Sequence, residues 1–312
     1  MLKARFRQIL EECEHERGIC PRTPLHAEEA WDQVLYESVL EGMGYGGNRS
    51  SFLALARSVS LSRLRAHGLE NTATMQALLF GAAGLLPPLK ALTEREGRAY
   101  VLNLRRRLRA LRILQAESAL AEGDWKFFRL RPVNFPTARL AAFCFLLPSL
   151  FAGRVVNRML GILTDPAATA YETRRAFLAM FRMRPDAFWS RHVHFRGRVP
   201  GRGIALGDAR VREIIVNAIV PLLLLYARTE GDASVRRLTF ALLRALPASQ
   251  GNSVTRRVQS ALWGATLQSC SHLEHQGMLH LYRRYCIAGR CPRCPVTAGP
   301  APGTRPARRD RQ

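Results

Sequence analysis

Apolar positions recur every three to four residues along most of the chain, the period of a helix with one buried face. Strict alternation, the mark of a half-buried strand, is confined to His192-Val193-His194-Phe195. The pattern predicts helices over 3–16, 27–43, 50–58, 72–82, 90–118, 136–147, 150–163, 167–182, 208–227, 232–246 and 253–285, the last broken near Gly264 or Gly277. Punctuation agrees with these bounds. Asn71-Thr72 offers a cap ahead of the run ending in Phe80, Gly84 can close it, and Pro87-Pro88 follow. Thr164-Asp165-Pro166 reads as a capping residue with proline in a first helical turn. The fold class expected is all-α, a multi-helix array of packed helical pairs, with neither heptads nor a fixed-length repeat.

The same pattern sets the organisation. Residues 1–296 read as one helical domain, any subdivision falling at 183–207, the one long irregular stretch. Residues 297–312 are Pro/Gly/Arg-rich and read as a disordered basic tail. The longest apolar runs, Leu140 to Gly153 and Ile214 to Ala227, are each about 14 residues and contain Pro148 and Pro221, against the ~20 a membrane span needs. Both are expected to be core helices, with no membrane involved. The N-terminus MLKARFRQILEECEHERG is charged and lacks an apolar core of signal length. With an odd cysteine count of 7, reduced thiols in a cytoplasmic protein are expected.

Charge changes the picture most. The 47 basic residues outnumber 24 acidic ones, a net charge of +23. Only Lys3, Lys90 and Lys126 are lysines. A GC-rich genome accounts for arginine over lysine but not for the shortage of acids. A polyanion is the default partner, and nucleic acid leads, because arginine pairs with phosphate in bidentate geometry and stacks on bases. An anionic protein or membrane surface and bare compositional bias remain open.

Three stretches could carry chemistry. Arg98, Arg105, Arg109 and Arg112 fall near one face of a helix, opposite Leu104, Leu108 and Leu111, either a phosphate-tracking stripe or a solvated face. The segment Trp125-Lys-Phe-Phe-Arg-Leu-Arg-Pro-Val-Asn-Phe-Pro-Thr-Ala-Arg139 interleaves aromatics and bases. Arg129, Arg131, Asn134 and Arg139 could contact backbone or bases. Equally, Trp125, Phe127 and Phe135 could anchor the core while the arginines cap helix ends. Third, Cys286, Cys291 and Cys294 form a C-x4-C-x2-C cluster after a helical stretch. Three thiolates with His280 as fourth ligand, or Cys270 in its place, suit tetrahedral zinc in a C-terminal metal knuckle; an iron–sulfur cluster and three packed free thiols are the alternatives. The turn Gly44-Tyr-Gly-Gly-Asn48-Arg49 lacks the Lys/Ser of a nucleotide loop, and His192 with His194 lacks a located third ligand. Ser/His/Asp sets, HExxH and paired carboxylates are not found, so no reaction is legible.

Taken together, LYESVLEGMGYGGNRSSFLALAR (35–57), ALLFGAAGLL (77–86), WKFFRLRPVNFPTARLA (125–141), FWSRHVHF (188–195), LGDARVREIIVNAIVPLLLLYA (206–227) and LYRRYCIAGRCPRCP (281–295) resemble an uncharacterised bacterial family known only as a domain of unknown function. The resemblance spans about residues 30–296, on the RLRPxNFP segment and the terminal YC…CxxC above all. It implies a further N-terminal β-rich domain, bearing Gly-Pro-Asp-Phe and a later Glu-x-His reminiscent of restriction-type nucleases. This chain contains neither motif, and Ser249 and Gln250 stand where an acid would be expected. The expectation is a non-catalytic nucleic-acid-binding or accessory module with a structural metal site, with a separate nuclease-like chain as a further partner. An enzyme of nucleic-acid metabolism and a helical protein–protein scaffold are the competing readings.

Overall fold

The computed structural model describes residues 24–44, 47–111, 120–198, 203–247, 251–263 and 270–296. Of these, 68% are helical and 2% lie in strands, so the protein is all-α. The chain divides into two compact units, Met1–Thr239 and Phe240–Gln312, and the irregular stretch 183–207 lies inside the first. The sequence-predicted helix at 3–16 and the tail at 297–312 lie outside the described residues.

The first unit is built around α1 (Pro24–Met43). Trp31, Val34, Leu35, Tyr36, Val39, Leu40 and Met43 are at most 3% exposed, spread round the helix rather than along one stripe. Against α1 pack α2 (Arg49–Ser58), α3 (Leu61–Ala66), α6 (Pro136–Phe151), α7 (Val155–Thr164) and α9 (Asp208–Ile214). Glu29 is exposed, and four other acids of the helix are matched by arginines. Asp32 is paired with Arg65 at 2.7 Å, Glu37 with Arg57 at 3.5 Å, Glu41 with Arg49 at 3.1 Å, and Glu28 with Arg154. Asp32 also accepts the backbone N–H of Val156 at 3.0 Å, capping the start of α7.

α4 (Thr72–Ala82) lies between α5 (Arg95–Ala110) and α6. Asn71 caps α4, its side chain accepting from Thr74 N–H at 3.1 Å. Gly84 closes it at φ +63°, with Leu85 N–H reaching back to Phe80 O at 3.1 Å. α6 runs through Pro148 in its last turns, past the residue where the sequence reading ends it. Its C-terminal carbonyls are taken by two arginines: Arg158 on Ser149 and Leu150, and Arg65 on Phe151 and Gly153. α8 (Ala170–Ala179) starts later than Thr164-Asp165-Pro166 suggests. Asp165 turns back on Ala167 N–H at 2.9 Å, and the reciprocal box of Thr169 and Glu172 sets the true start.

After the hairpin β1 (His192–His194) and β2 (Gly197–Arg198), α9 continues through a π turn (Ile215–Ile219) into α10 (Val220–Thr229). Pro221 has no N–H for the α-helical ladder, and the wider turn just before it keeps the rod continuous. No single helix among the described residues is long and apolar enough to cross a membrane; α6 and α7 pass only together, bent by 66°, and α6 is buried on nearly every face.

α11 (Ala233–Ala245) carries the chain over the division between units. In the second unit α12 (Ser253–Trp263) and α13 (His272–Leu281) close a small core of Val258, Cys270 and Met278, with Leu262 and Tyr282 against it. The helical stretch expected over 253–285 with a break near Gly264 or Gly277 is two helices, the first ending at Trp263 and the second entered through a Ser271–Glu274 capping box.

Candidate functional site

The basic aromatic segment is held at its root. Trp125 is 5% exposed, donates Nε1–H to Ala83 O at 2.8 Å and sets its ring edge-on to Phe52 at 5.0 Å. Asn48 is buried and grips the next residue at both backbone groups: Lys126 N–H donates to Asn48 Oδ1 at 2.7 Å, and Asn48 Nδ2 donates to Lys126 O at 2.8 Å. Ser51 donates to Asp124 O at 2.7 Å. Past this clamp the chain turns into solvent. Phe128 is 82% exposed, and the Arg129 guanidinium lies 5.2 Å over its ring. Arg129 holds φ +59°, a left-handed conformation that bulky residues seldom adopt. Lys126 and Arg131 are exposed as well.

The chain returns through a 3-10 turn, Pro132–Asn134, into α6. There the candidate set separates. Arg139 is buried and donates to Oδ1 of the half-buried Asn134, so these two side chains face each other. The segment thus has two sides, with Trp125 and Arg139 buried and Arg129 and Arg131 exposed.

The hairpin, read as a separate motif in the sequence, packs on this segment. Thr137 Oγ1 donates to Val193 O at 2.7 Å, Phe135 stacks on His194 at 6.0 Å, and Phe127 meets Phe135 edge-to-face at 5.5 Å. Together they wall a cavity of about 390 Å³, lined by Leu85, Phe127, Phe135, His194, Phe195 and Arg196 among others. Arg196 pairs with Glu122 at 3.4 Å at its edge. His194 Nδ1 accepts the Arg196 backbone N–H at 3.0 Å, so the ring hydrogen of the neutral form sits on Nε2. Burial, with His192 and Arg196 nearby, lowers the His194 pKa and favours that neutral form.

Beneath the hairpin, Tyr100, Phe188 and His192 stack at 4.2 and 3.9 Å. His192 Nδ1 donates to Phe188 O at 2.8 Å, and its Nε2 lies 3.1 Å from Glu94. Glu94, Glu96 and His192 are the side chains of metal-ligating type whose donor atoms gather within 4.8 Å among the described residues. Their charges are already answered. Glu96 binds Arg191 at 2.7 Å and Arg198 at 2.5 Å, and Arg198 also approaches Glu94 at 3.5 Å. The Arg198 hydrogen bond, and the arginine charges after it, hold the Glu96 carboxyl below its usual range. Two carboxylates facing two guanidiniums need no dication, so the group acts first as a tie between hairpin and α5. Its members are 98 residues apart in the chain for Glu94 and His192, which is why the sequence reading missed it.

The arginine stripe is only partly accessible. Arg105 donates to Leu86 O and Pro87 O at 3.1 Å each, a clamp on the loop after α4, while Arg98 and Arg109 are exposed. Arg112 lies outside the described residues. At the cysteine cluster, Cys286, Cys291 and His280 are exposed and Cys294 is buried. These residues are not among those gathered within 4.8 Å. The C-x2-C half forms a 3-10 turn, Cys291–Arg293, closed by Cys294 N–H on Cys291 O at 3.0 Å. It packs on the π turn Tyr282–Cys286, so the three cysteines come from two touching turns. Cys270 is in the α12–α13 core, accepting from Gln259 at 3.3 Å, and burial raises its thiol pKa, against the thiolate a metal needs.

The fold and cleft define an all-α protein with an aromatic, basic-edged recess. The family of proteins of unknown function designated DUF2851 matches residues 15–252, and the chain belongs to it. The matched range contains the clamp, the basic aromatic segment and the hairpin, and ends before α12. No curated protein and no solved structure matches the chain.

Proposed function

We propose that the protein is a nucleic-acid-binding accessory module without catalysis of its own, acting through the basic aromatic segment beside the hairpin. One observation carries the reading: Phe128, 82% exposed, is the most exposed of the large apolar side chains among the described residues, and a clamped root presents it between cationic neighbours. Burying such a ring would gain about 1.5–3 kcal/mol, so leaving it in water has a cost that a ligand's stacking face can offset. Arg129 and Arg131 supply charge for phosphates on either side, and Arg109 extends it along α5. Single-stranded nucleic acid suits this arrangement, because its unstacked bases expose π faces to aromatic side chains.

The test is titration of the full chain with single-stranded DNA and RNA over a salt series. Phe128→Ala should weaken binding with little change in salt slope. Arg131→Ala should weaken it and flatten the slope by about one unit for each phosphate no longer neutralised. Binding indifferent to all of Phe128, Arg129 and Arg131 overturns the reading in favour of a helical scaffold.

The second part of the proposal is the metal. Cys286, Cys291 and Cys294 with His280 would hold zinc, or with another fourth ligand an iron–sulfur cluster, and tie the C-terminal turns together. The closed C-x2-C turn against the turn bearing Cys286 supports it. An enzyme of nucleic-acid metabolism is kept as the second reading, on the Glu94–Glu96–His192 group alone. Divalent-metal-dependent cleavage of DNA or RNA abolished by Glu96→Gln would establish it in place of the accessory role.

A further inference from the structure

We infer that the cavity between the basic aromatic segment and the hairpin is a receptor for a single unstacked nucleobase, deepening the nucleic-acid reading on which it rests. The cavity's volume, about 390 Å³, is in the range of small-ligand pockets. Its walls are those a planar ring requires. Phe127 and Phe135 stand edge-to-face at 5.5 Å, Phe135 and His194 lie near-parallel with 26° between their planes, and Phe195, 2% exposed, forms part of the floor. A base inserted here would have π surface against it instead of water.

The polar groups narrow the occupant further. The Nδ1 of His194 is committed to the Arg196 backbone, so Nε2–H is the ring's remaining donor, and it meets no acceptor among the described residues. Every nucleobase carries a ring nitrogen or carbonyl oxygen able to accept that hydrogen, whereas an acyl chain would leave the donor unanswered. The Thr137 hydroxyl hydrogen is already spent on Val193 O, which leaves its oxygen as an acceptor for an exocyclic amine. Phosphates belong outside. Lys126, Arg129 and Arg131, all exposed, flank Phe127 in the chain, and Arg196 stands at the edge on the hairpin side. A strand held by these cations would place one base over Phe128 and could turn its neighbour into the cavity.

The experiment compares three short strands on the full wild-type chain at one salt concentration. The first is built entirely of abasic sugar-phosphate units, the second carries one fluorescent base analogue in an otherwise abasic strand, and the third has all its bases. The receptor predicts that the single base restores about tenfold or more of the affinity missing from the abasic strand, with quenching of its fluorescence by ring stacking. Phe135→Ala should erase that gain. His194→Phe, which keeps a ring and loses the donor, should reduce the gain and leave the quenching. Equal affinity for the abasic and single-base strands overturns the receptor and leaves the polyanion reading standing. Failure of all three strands to bind overturns both. Since the decisive comparison uses wild-type protein, misfolding of a variant cannot rescue the idea.

Discussion

Asn48 is the residue through which the fold positions the proposed binding segment, and its replacement gives the sharpest test of that role. Its amide meets Lys126 N–H and Lys126 O at 2.7 and 2.8 Å, with 2% of the residue exposed. A side chain–backbone hydrogen bond contributes about 1 kcal/mol net, and more when removal leaves a partner stranded. Lys126 is itself exposed, so water can partly re-solvate its backbone groups. Asn48→Ala should therefore cost about 2–3 kcal/mol in equilibrium urea unfolding. Asn48→Asp is nearly isosteric and creates no cavity, yet it should cost at least as much. Its carboxylate keeps the bond to Lys126 N–H, but the second oxygen then faces the Lys126 carbonyl, and a charge is placed where almost no water reaches. A packing role would give the opposite order, with alanine damaging and aspartate nearly neutral. Both variants within about 0.5 kcal/mol of wild type, or aspartate the milder by more than that margin, would refute the clamp. Both should also weaken single-strand binding beyond what Phe128→Ala alone does, because they release the root of the segment and not only its tip.

Gly97→Ala should lower the melting temperature sharply, since a Cβ there would collide with the Phe195 carbonyl oxygen, which is backbone; a cost of about 2 kcal/mol or more is expected, and an unchanged melt would contradict the close packing of hairpin on α5. Burial holds His194 and His275 below the ordinary histidine value of 6.5, so the unfolded chain takes up protons first as the pH falls. Their stability contribution is then complete above about pH 6.5 and lost below it; urea midpoints should fall between about pH 7.5 and 5.5, and less so in His194→Phe. Cys291→Ser should release zinc or bleach an iron–sulfur spectrum in anaerobically purified protein; metal-free wild type would reduce the cluster to free thiols.

Helix punctuation was legible in the sequence where a single side chain sets it. Asn71 and Gly84 bound α4 where the pattern places its ends. It failed where two signals compete: Asp165-Pro166 satisfies a turn, and Thr169-x-x-Glu172 takes the cap three residues on. α3, six residues long, is too short to show a period at all. The candidate site divided for a similar reason. Alternating arginines and aromatics say that a segment has two faces, but not which side chain falls on which. Arg139 turned inward because α6 begins at Pro136 and is buried from its first turn, while Arg129 and Arg131 precede the helix. That the hairpin would complete the same cleft was not legible, since Phe135 and His194 are joined only through tertiary packing. One usable signal was passed over. In a chain with 24 acids against 47 bases, each acid is apt to have an assigned partner, and Glu94-x-Glu96, which falls at the start of α5, was a place to look.

That scarcity also bears on what the charge is for. A composition-driven excess of arginine would be expected to stay on solvated faces, yet many of these guanidiniums have structural tasks. Arg49, Arg57, Arg65 and Arg154 answer acids on the enclosed α1. Arg191 and Arg198 answer Glu96, Arg105 binds carbonyls of the loop after α4, and Arg158 caps the end of α6. Arg129 and Arg131, exposed like several of these, differ in having neither an ion pair nor a carbonyl to cap among the described residues, and they project from a segment whose root is fixed by three buried side chains. A guanidinium without a carboxylate keeps its full set of donors for phosphate, and one on a fixed backbone loses less freedom on binding. Net charge by itself draws any polyanion to the surface; under the proposed function, the uncommitted pair beside an exposed phenylalanine would make one place on that surface better than the rest. Exchanging Arg129 and Arg131 for alanine should therefore cost more affinity than exchanging Arg95 and Arg106, two exposed arginines of α5 outside the proposed surface, and equal losses from the two pairs would mean that charge alone does the binding.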